Sequence, residues 1–313
     1  MTYCGYPSLE LENEALRVVV VPDAGAKIVS LFDKRAGREW LVAPEQSNPF
    51  RAWSYGTEYN PNQCGGWDEM FPTILGCAYP GEGPYIGAEL PDHGEAWALP
   101  WEDAASTAEQ IALELRGCAL PYCLRRTLTL DGDALRMNYT LENCGRAEFA
   151  YLWAAHPQFA CDPGALIVLP DEVTETVNVL PLSWGAEFGE PGTVNRWPEF
   201  TSGGETVRQD RVAGPEKGGG RKFYLPVEKR IAWGELRQPS GEWLRMSWDA
   251  GLAPYCGVWI DEGYLNKVSD IAFEPTTAYY DSLLAGWNNG RYATIRAGEV
   301  VSWSLRVQLG RGE

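Results

Sequence analysis

The chain has 313 residues, 45% hydrophobic and 22% charged, an ordinary composition for a soluble globular protein, with enough chain to bury a core without disulfides or metal. Its 26 basic and 43 acidic side chains give a formal net charge of −17 with no dense Lys/Arg cluster, so neither nucleic acid nor a membrane surface is an expected partner. No apolar run approaches the ~20 residues that cross a bilayer, no export signal opens the sequence, and the eight cysteines form no C-x-x-C pair, so the expectation is a cytoplasmic protein with reduced thiols.

Short β-type segments separated by turn residues dominate the chain. Residues 16–22 (LRVVVVP) form a β-branched run, an Asp-Ala-Gly turn leads to 27–32 (KIVSLF), and Lys34-Arg35-Ala36-Gly37 turns the chain before 39–42. The clearest hairpin joins 124–130 to 134–142 through Asp131-Gly132-Asp133. In its second arm Leu135, Met137, Tyr139 and Leu141 alternate with Arg136, Asn138, Thr140 and Glu142, the period of a strand with one buried face. Residues 292–296, Ala297-Gly298 and 299–309 repeat strand–turn–strand. No long stretch sustains helical apolar spacing, so the prediction is all-β, a large antiparallel sandwich. Two segments break the rhythm. Residues 49–100, rich in Gly, Pro, Asn and aromatics, read as a functional loop, and 189–222, with Gly203-Gly204 and Gly218-Gly219-Gly220, as a mobile surface excursion. The strand pattern is alike on both sides of each, which predicts a single domain over 1–313.

Chemistry has few candidates. The two histidines are His93, in Pro91-Asp92-His93-Gly94-Glu95, and His156, in Ala155-His156-Pro157-Gln158-Phe159 after an apolar strand. Taken alone, each reads more readily as a packed core residue than as a catalyst, although Pro157 forces the chain out of regular pairing beside the imidazole. Glu274 closes a short apolar strand before Pro275, where a carboxylate can point into a cleft that raises its basicity. Many of the 14 tryptophans flank these segments, and their flat apolar faces suit the C–H face of a pyranose. The histidines lie far apart with no i, i+4 ligand pattern, no cysteine has a persuasive histidine partner, and no phosphate-binding glycine loop follows a strand. No metal and no organic cofactor is therefore expected.

Taken in order, the segments resemble a family. Cys64-Gly65-Gly66-Trp67-Asp68-Glu69-Met70-Phe71-Pro72, then Leu90-Pro91-Asp92-His93-Gly94 and Leu99-Pro100-Trp101, are similar to the Gly-Gly…Pro…His-Gly…Pro-Trp series of aldose 1-epimerases (mutarotases) and glucose-6-phosphate 1-epimerases. Residues 155–159 resemble their His-Pro-Tyr/Phe-Phe segment, 271–277 the strand of their catalytic glutamate, and 297–303 their final hairpin, so the likeness runs along nearly the whole chain. The resemblance implies a β-supersandwich with a carbohydrate cleft. Glu274 would be general base on the anomeric hydroxyl, His156 general acid on the ring oxygen, and His93 a substrate-binding residue. Asp68, Trp97, Gln158 and Trp67 are further substrate-binding candidates, Asp68 and Glu69 as hydroxyl acceptors and Trp97 as a stacking face. Cys64 and Trp97 stand where sugar-phosphate epimerases carry arginines, so a phosphate would lose its bidentate partners and a small neutral carbohydrate is the expected partner. The alternatives are a non-catalytic carbohydrate-binding protein on the same fold, and a glycoside hydrolase or lyase using Asp68, Glu69, Asp92 and Glu95. Oligomeric state is not encoded in any of these features.

Overall fold

The computed structural model of the protein describes residues 1–46, 48–59, 65–180 and 185–312. Side-chain alternation decides its elements. Along Ala134–Asn143, Leu135, Met137, Tyr139 and Leu141 are buried while Arg136 and Asn138 are exposed, so one face of the strand enters the core. The strand pairs antiparallel with Tyr122–Asp131 up to Asp131↔Ala134, which leaves Gly132 and Asp133 as a two-residue turn. Gly132 sits at φ 58°, the left-handed region such a turn demands.

The described residues build two large antiparallel sheets, of eight and twelve strands. The middle of the larger runs Gly219–Tyr224, Tyr255–Glu262, Ser269–Thr276, Ala154–Pro157, Trp67–Met70 and Lys27–Asp33. The sheets stack face to face over a contiguous apolar cluster to which both contribute. The approach is close: a Cβ on Gly234, in the smaller sheet, would come within 2.5 Å of the Phe273 ring in the larger. An ion pair spans this apolar layer. Arg126 Nη1 donates to Glu69 Oε1 at 3.0 Å, the Tyr139 hydroxyl to the same oxygen at 2.8 Å, and the Trp153 indole to Oε2 at 2.9 Å. No described helix is long and apolar enough to cross a membrane.

Two sequence expectations are corrected here. The turn at Ala297-Gly298 does not join a hairpin. Val300–Arg311 is flanked by Ala134–Asn143 on one side and Glu242–Trp248 on the other, so it has no edge left for Ala293–Ile295, which pairs with Phe149–Tyr151. Nor is all of 189–222 a surface excursion. Glu199–Ser202 and Glu205–Arg208 form a separate hairpin, but Gly219–Tyr224 lies between Glu175–Asn178 and Tyr255–Glu262 inside the larger sheet and carries Lys222 into the molecule.

Candidate active site

One polar row crosses a face of the larger sheet. His156 is the direct partner of Asp68, Glu274 of Gly257, and Gly257 of Tyr224; the Ala154↔Thr276 pairing, continued by two residues, sets His156 beside Glu274. Directly opposed residues share a face, so register alone assembles Asp68, His156 and Glu274 from strands distant in sequence. The two prolines open the row. The ladder between these strands is made at Ala154↔Thr276 and resumes at Phe159↔Ile271; between them Pro157 and Pro275 lack backbone donors, and His156 and Glu274 lie along that interrupted stretch. The strand does not end at Glu274, as the sequence suggested, but runs through Pro275 to Thr276.

His156 Nε2 lies 3.7 Å from Glu274 Oε1, too far for a hydrogen bond and close enough for one hydroxyl to touch both. Oε1 has no hydrogen-bond partner among the described residues, whereas Oε2 accepts from Lys222 Nζ at 2.7 Å. Burial raises the Glu274 carboxyl above its ordinary range, with Lys222 opposing the rise. Burial also pushes the His156 imidazole well down, helped by the facing His93 and Lys222. For Lys222 burial works against the charge, but the Asp281 and Glu274 carboxylates outweigh it and hold the ammonium above its usual range.

His93 comes to the same place from the long loop. Its ring stacks on Tyr59 at 4.2 Å between centroids, lies 5.8 Å from the His156 ring, and meets Asp92 Oδ1 through Nδ1 at 2.9 Å. Burial disfavours the Asp92 charge, yet the bonds from His93 and from backbone N–H groups hold that carboxyl below its usual range. A charged acceptor at Nδ1 fixes the proton there and leaves Nε2 as the free acceptor. The backbone is strained at His93, which sits at φ 58°, while Gly94 follows at φ 74°, a conformation open to glycine. A Cβ on Gly94 would lie 2.2 Å from the Phe71 carbonyl oxygen. Gly94→Ala is therefore expected to lower unfolding stability by about 1–3 kcal/mol and to displace His93. Urea melts and the imidazole NMR shifts of the two histidines check this; an unchanged melt would contradict it.

These groups line a cavity of about 170 Å³ with Tyr59, Gln158, Trp259, Asp281 and an aliphatic rim of Ile74, Leu75, Leu180 and Leu265. Cavities near 150 Å³ admit a six-membered ring. The structure thus brings His93, His156, Gln158 and Glu274 together. Gln158 is held by its own network: Oε1 accepts from Asn266 Nδ2 at 2.9 Å and Nε2 donates to the Tyr59 hydroxyl at 3.3 Å.

Three candidates are not in the cavity wall. Asp68 is on the right face but lies behind Tyr59, whose hydroxyl donates to it at 3.0 Å, and it is paired with Lys27. Trp67, next in the strand, points the other way and packs edge-on against Phe159. Trp97 is fully buried, edge-on to Tyr59 at 5.0 Å, and presents no face to the cavity. The acidic cluster disperses likewise: Glu69 is in the core, Asp92 holds His93, and Glu95 accepts the Cys118 and Ala119 backbone N–H groups. Cys64 lies outside the described residues. Sequence reasoning missed Tyr59, Lys222 and Asp281. Lys222, inside the alternating run Arg221-Lys222-Phe223-Tyr224, offered a signal, since a strand with aromatics on both faces is buried on both.

No family model matches the sequence. Solved structures do. The Slr1438 protein of Synechocystis sp. PCC 6803 superposes with a TM-score of 0.73 at 16% identity, over 100% of this chain and 99% of its own. A galactose mutarotase-like protein of Lactobacillus casei gives 0.70 at 18% identity, over 97% and 100%. A galactose mutarotase related enzyme of Lactobacillus acidophilus gives 0.68 at 15% identity, over 97% of each chain. These likenesses extend along the whole chain, and they bear out the resemblance read from its motifs at the level of architecture: the protein has the galactose mutarotase-like fold.

Proposed function

We propose that the protein interconverts the anomers of a neutral, non-phosphorylated aldose, with Glu274 and His156 as its acid–base pair. The observation that carries this reading is the Glu274 Oε1–His156 Nε2 separation of 3.7 Å, both atoms directed at one ring-sized cavity. Opening a hemiacetal removes the proton from O1 while another reaches the ring oxygen. Glu274 Oε1 takes the first and His156 Nε2 gives the second; the aldehyde rotates about C1–C2, and the protons return as the ring closes on the other face. Burial lowers the proton affinity of the imidazole, which makes His156 the stronger acid, and raises that of the carboxylate, which makes Glu274 the stronger base. His93 Nε2 accepts from a sugar hydroxyl. The lining contains one lysine, already engaged by two carboxylates, and no arginine among the described residues, which favours a neutral sugar over a phosphorylated one.

The test is polarimetry of freshly dissolved α-anomers of D-glucose, D-galactose, L-rhamnose and D-xylose. Acceleration of at least one is expected, with a bell-shaped pH dependence, because the pair works with one proton and fails with two or none. Binding without acceleration would make the protein a sugar-binding module, and neither binding nor acceleration would end the carbohydrate reading.

A further inference from the structure

Lys222 does more than add a charge to the cavity. Its Nζ lies 2.7 Å from Glu274 Oε2 and 2.8 Å from Asp281 Oδ1, and all three side chains are buried. Asp281 is itself anchored: the Tyr224 hydroxyl donates to Oδ1 at 2.9 Å, and the Asp281 backbone N–H, held at φ 49°, donates to the same hydroxyl at 3.2 Å. The arrangement depends on a missing side chain. Gly257 is the strand partner of both Glu274 and Tyr224, and a Cβ there would lie 3.1 Å from the Tyr224 ring and 3.2 Å from Lys222 Cε. Its absence lets the lysine stem cross to the carboxylate. With Oε2 committed to Lys222, Oε1 is the oxygen left facing His156.

We propose that Lys222, held by Asp281, is the positioning residue of the general base, locking Glu274 with Oε1 toward the anomeric centre and keeping it ionised. The inference rests on the function proposed above. The charged and titratable groups around Glu274 are Lys222, Asp281 and Tyr224 beyond Gly257, His156 on the neighbouring strand, His93 from the loop, and Cys256 next to its strand partner. Lys222 stabilises the carboxylate charge and Asp281 opposes it, so removing each moves the titration of Glu274 in opposite directions.

The experiment compares wild type, Lys222→Met and Asp281→Asn in polarimetric rates across pH, on whichever of D-glucose, D-galactose, L-rhamnose and D-xylose wild type accelerates. For Lys222→Met, kcat is expected to fall roughly 10²-fold, as for a misplaced catalytic group, with little change in KM and the acid limb moved to higher pH. For Asp281→Asn the acid limb moves to lower pH. A Lys222→Met profile that superimposes on wild type, or limbs that move the same way in both variants, overturns the proposal. If Lys222→Met does not fold, Asp281→Asn decides alone, and a limb that stays or rises counts against it. If wild type accelerates none of the four, the functional reading fails, and a measurement without sugar still tests the clamp. The two imidazoles are resolved by NMR, and in Lys222→Met the His156 titration is expected at higher pH because a neighbouring cation has left; an unchanged titration refutes the placement of that charge.

Discussion

Glu274→Gln is expected to lower the rate of anomer interconversion by roughly 10²–10⁴-fold, the contribution of one positioned acid or base. Glutamine keeps the shape of the side chain, and its carbonyl oxygen can still accept from Lys222, so the fold and KM should change little. What it cannot do is take a proton at the position of Oε1, the atom without a partner among the described residues that faces His156. Initial rates of anomer exchange by NMR, beside a thermal melt of the same sample, separate lost chemistry from lost structure. A rate within a factor of two of wild type would remove Glu274 from the mechanism.

The largest expected effect on stability lies away from the cavity. Arg126→Met leaves Glu69 without its cation between the two sheets, a change of the kind that costs about 3–5 kcal/mol. Burial already raises the Glu69 carboxyl, and Arg126 is the strongest influence holding it down. Without the arginine the folded protein retains a proton that the unfolded chain, titrating near a pKa of about 4.3, has released. The variant's folded state holds that proton to higher pH than wild type's, so the deficit is small in acid and grows as pH rises from the wild-type folded titration, already raised by burial, toward the variant's. Urea melts from pH 4 to 8 check this, and Glu69→Gln in the Arg126→Met background should recover part of the loss and remove its pH dependence. A pH-independent deficit would contradict the account.

What was legible in the sequence was local. The alternation in 134–142 and the Asp-Gly turn specify their hairpin because both signals sit within one short segment. His156-Pro157 and Glu274-Pro275 were visible for the same reason; the ladder between their two strands is interrupted there, but each proline stays in register with the strand on its other side. Partner choice was not legible. Val300–Arg311 and Ala293–Ile295 look like hairpin arms, but which edges are free is settled by Glu242–Trp248, some fifty residues away. Lys222 escaped notice because its partner Glu274 is reached across Gly257, a relation of register between strands rather than of spacing. One error was avoidable. Trp67 and Asp68 are consecutive in a strand, so they point to opposite faces and could not both meet one ligand. Trp97 and Tyr59 could not have been ranked in advance, since which ring fronts the cavity depends on how the long loop packs.

The central claim is that one sugar ring lies between the carboxylate and the imidazole, and a crystal structure of Glu274→Gln with a bound neutral aldose tests it most directly. The account predicts the anomeric hydroxyl within about 2.6–3.2 Å of the residue 274 amide and the ring oxygen at that distance from His156 Nε2. A sugar bound elsewhere on the surface, or seated in the cavity with C1 turned away from both side chains, would contradict it.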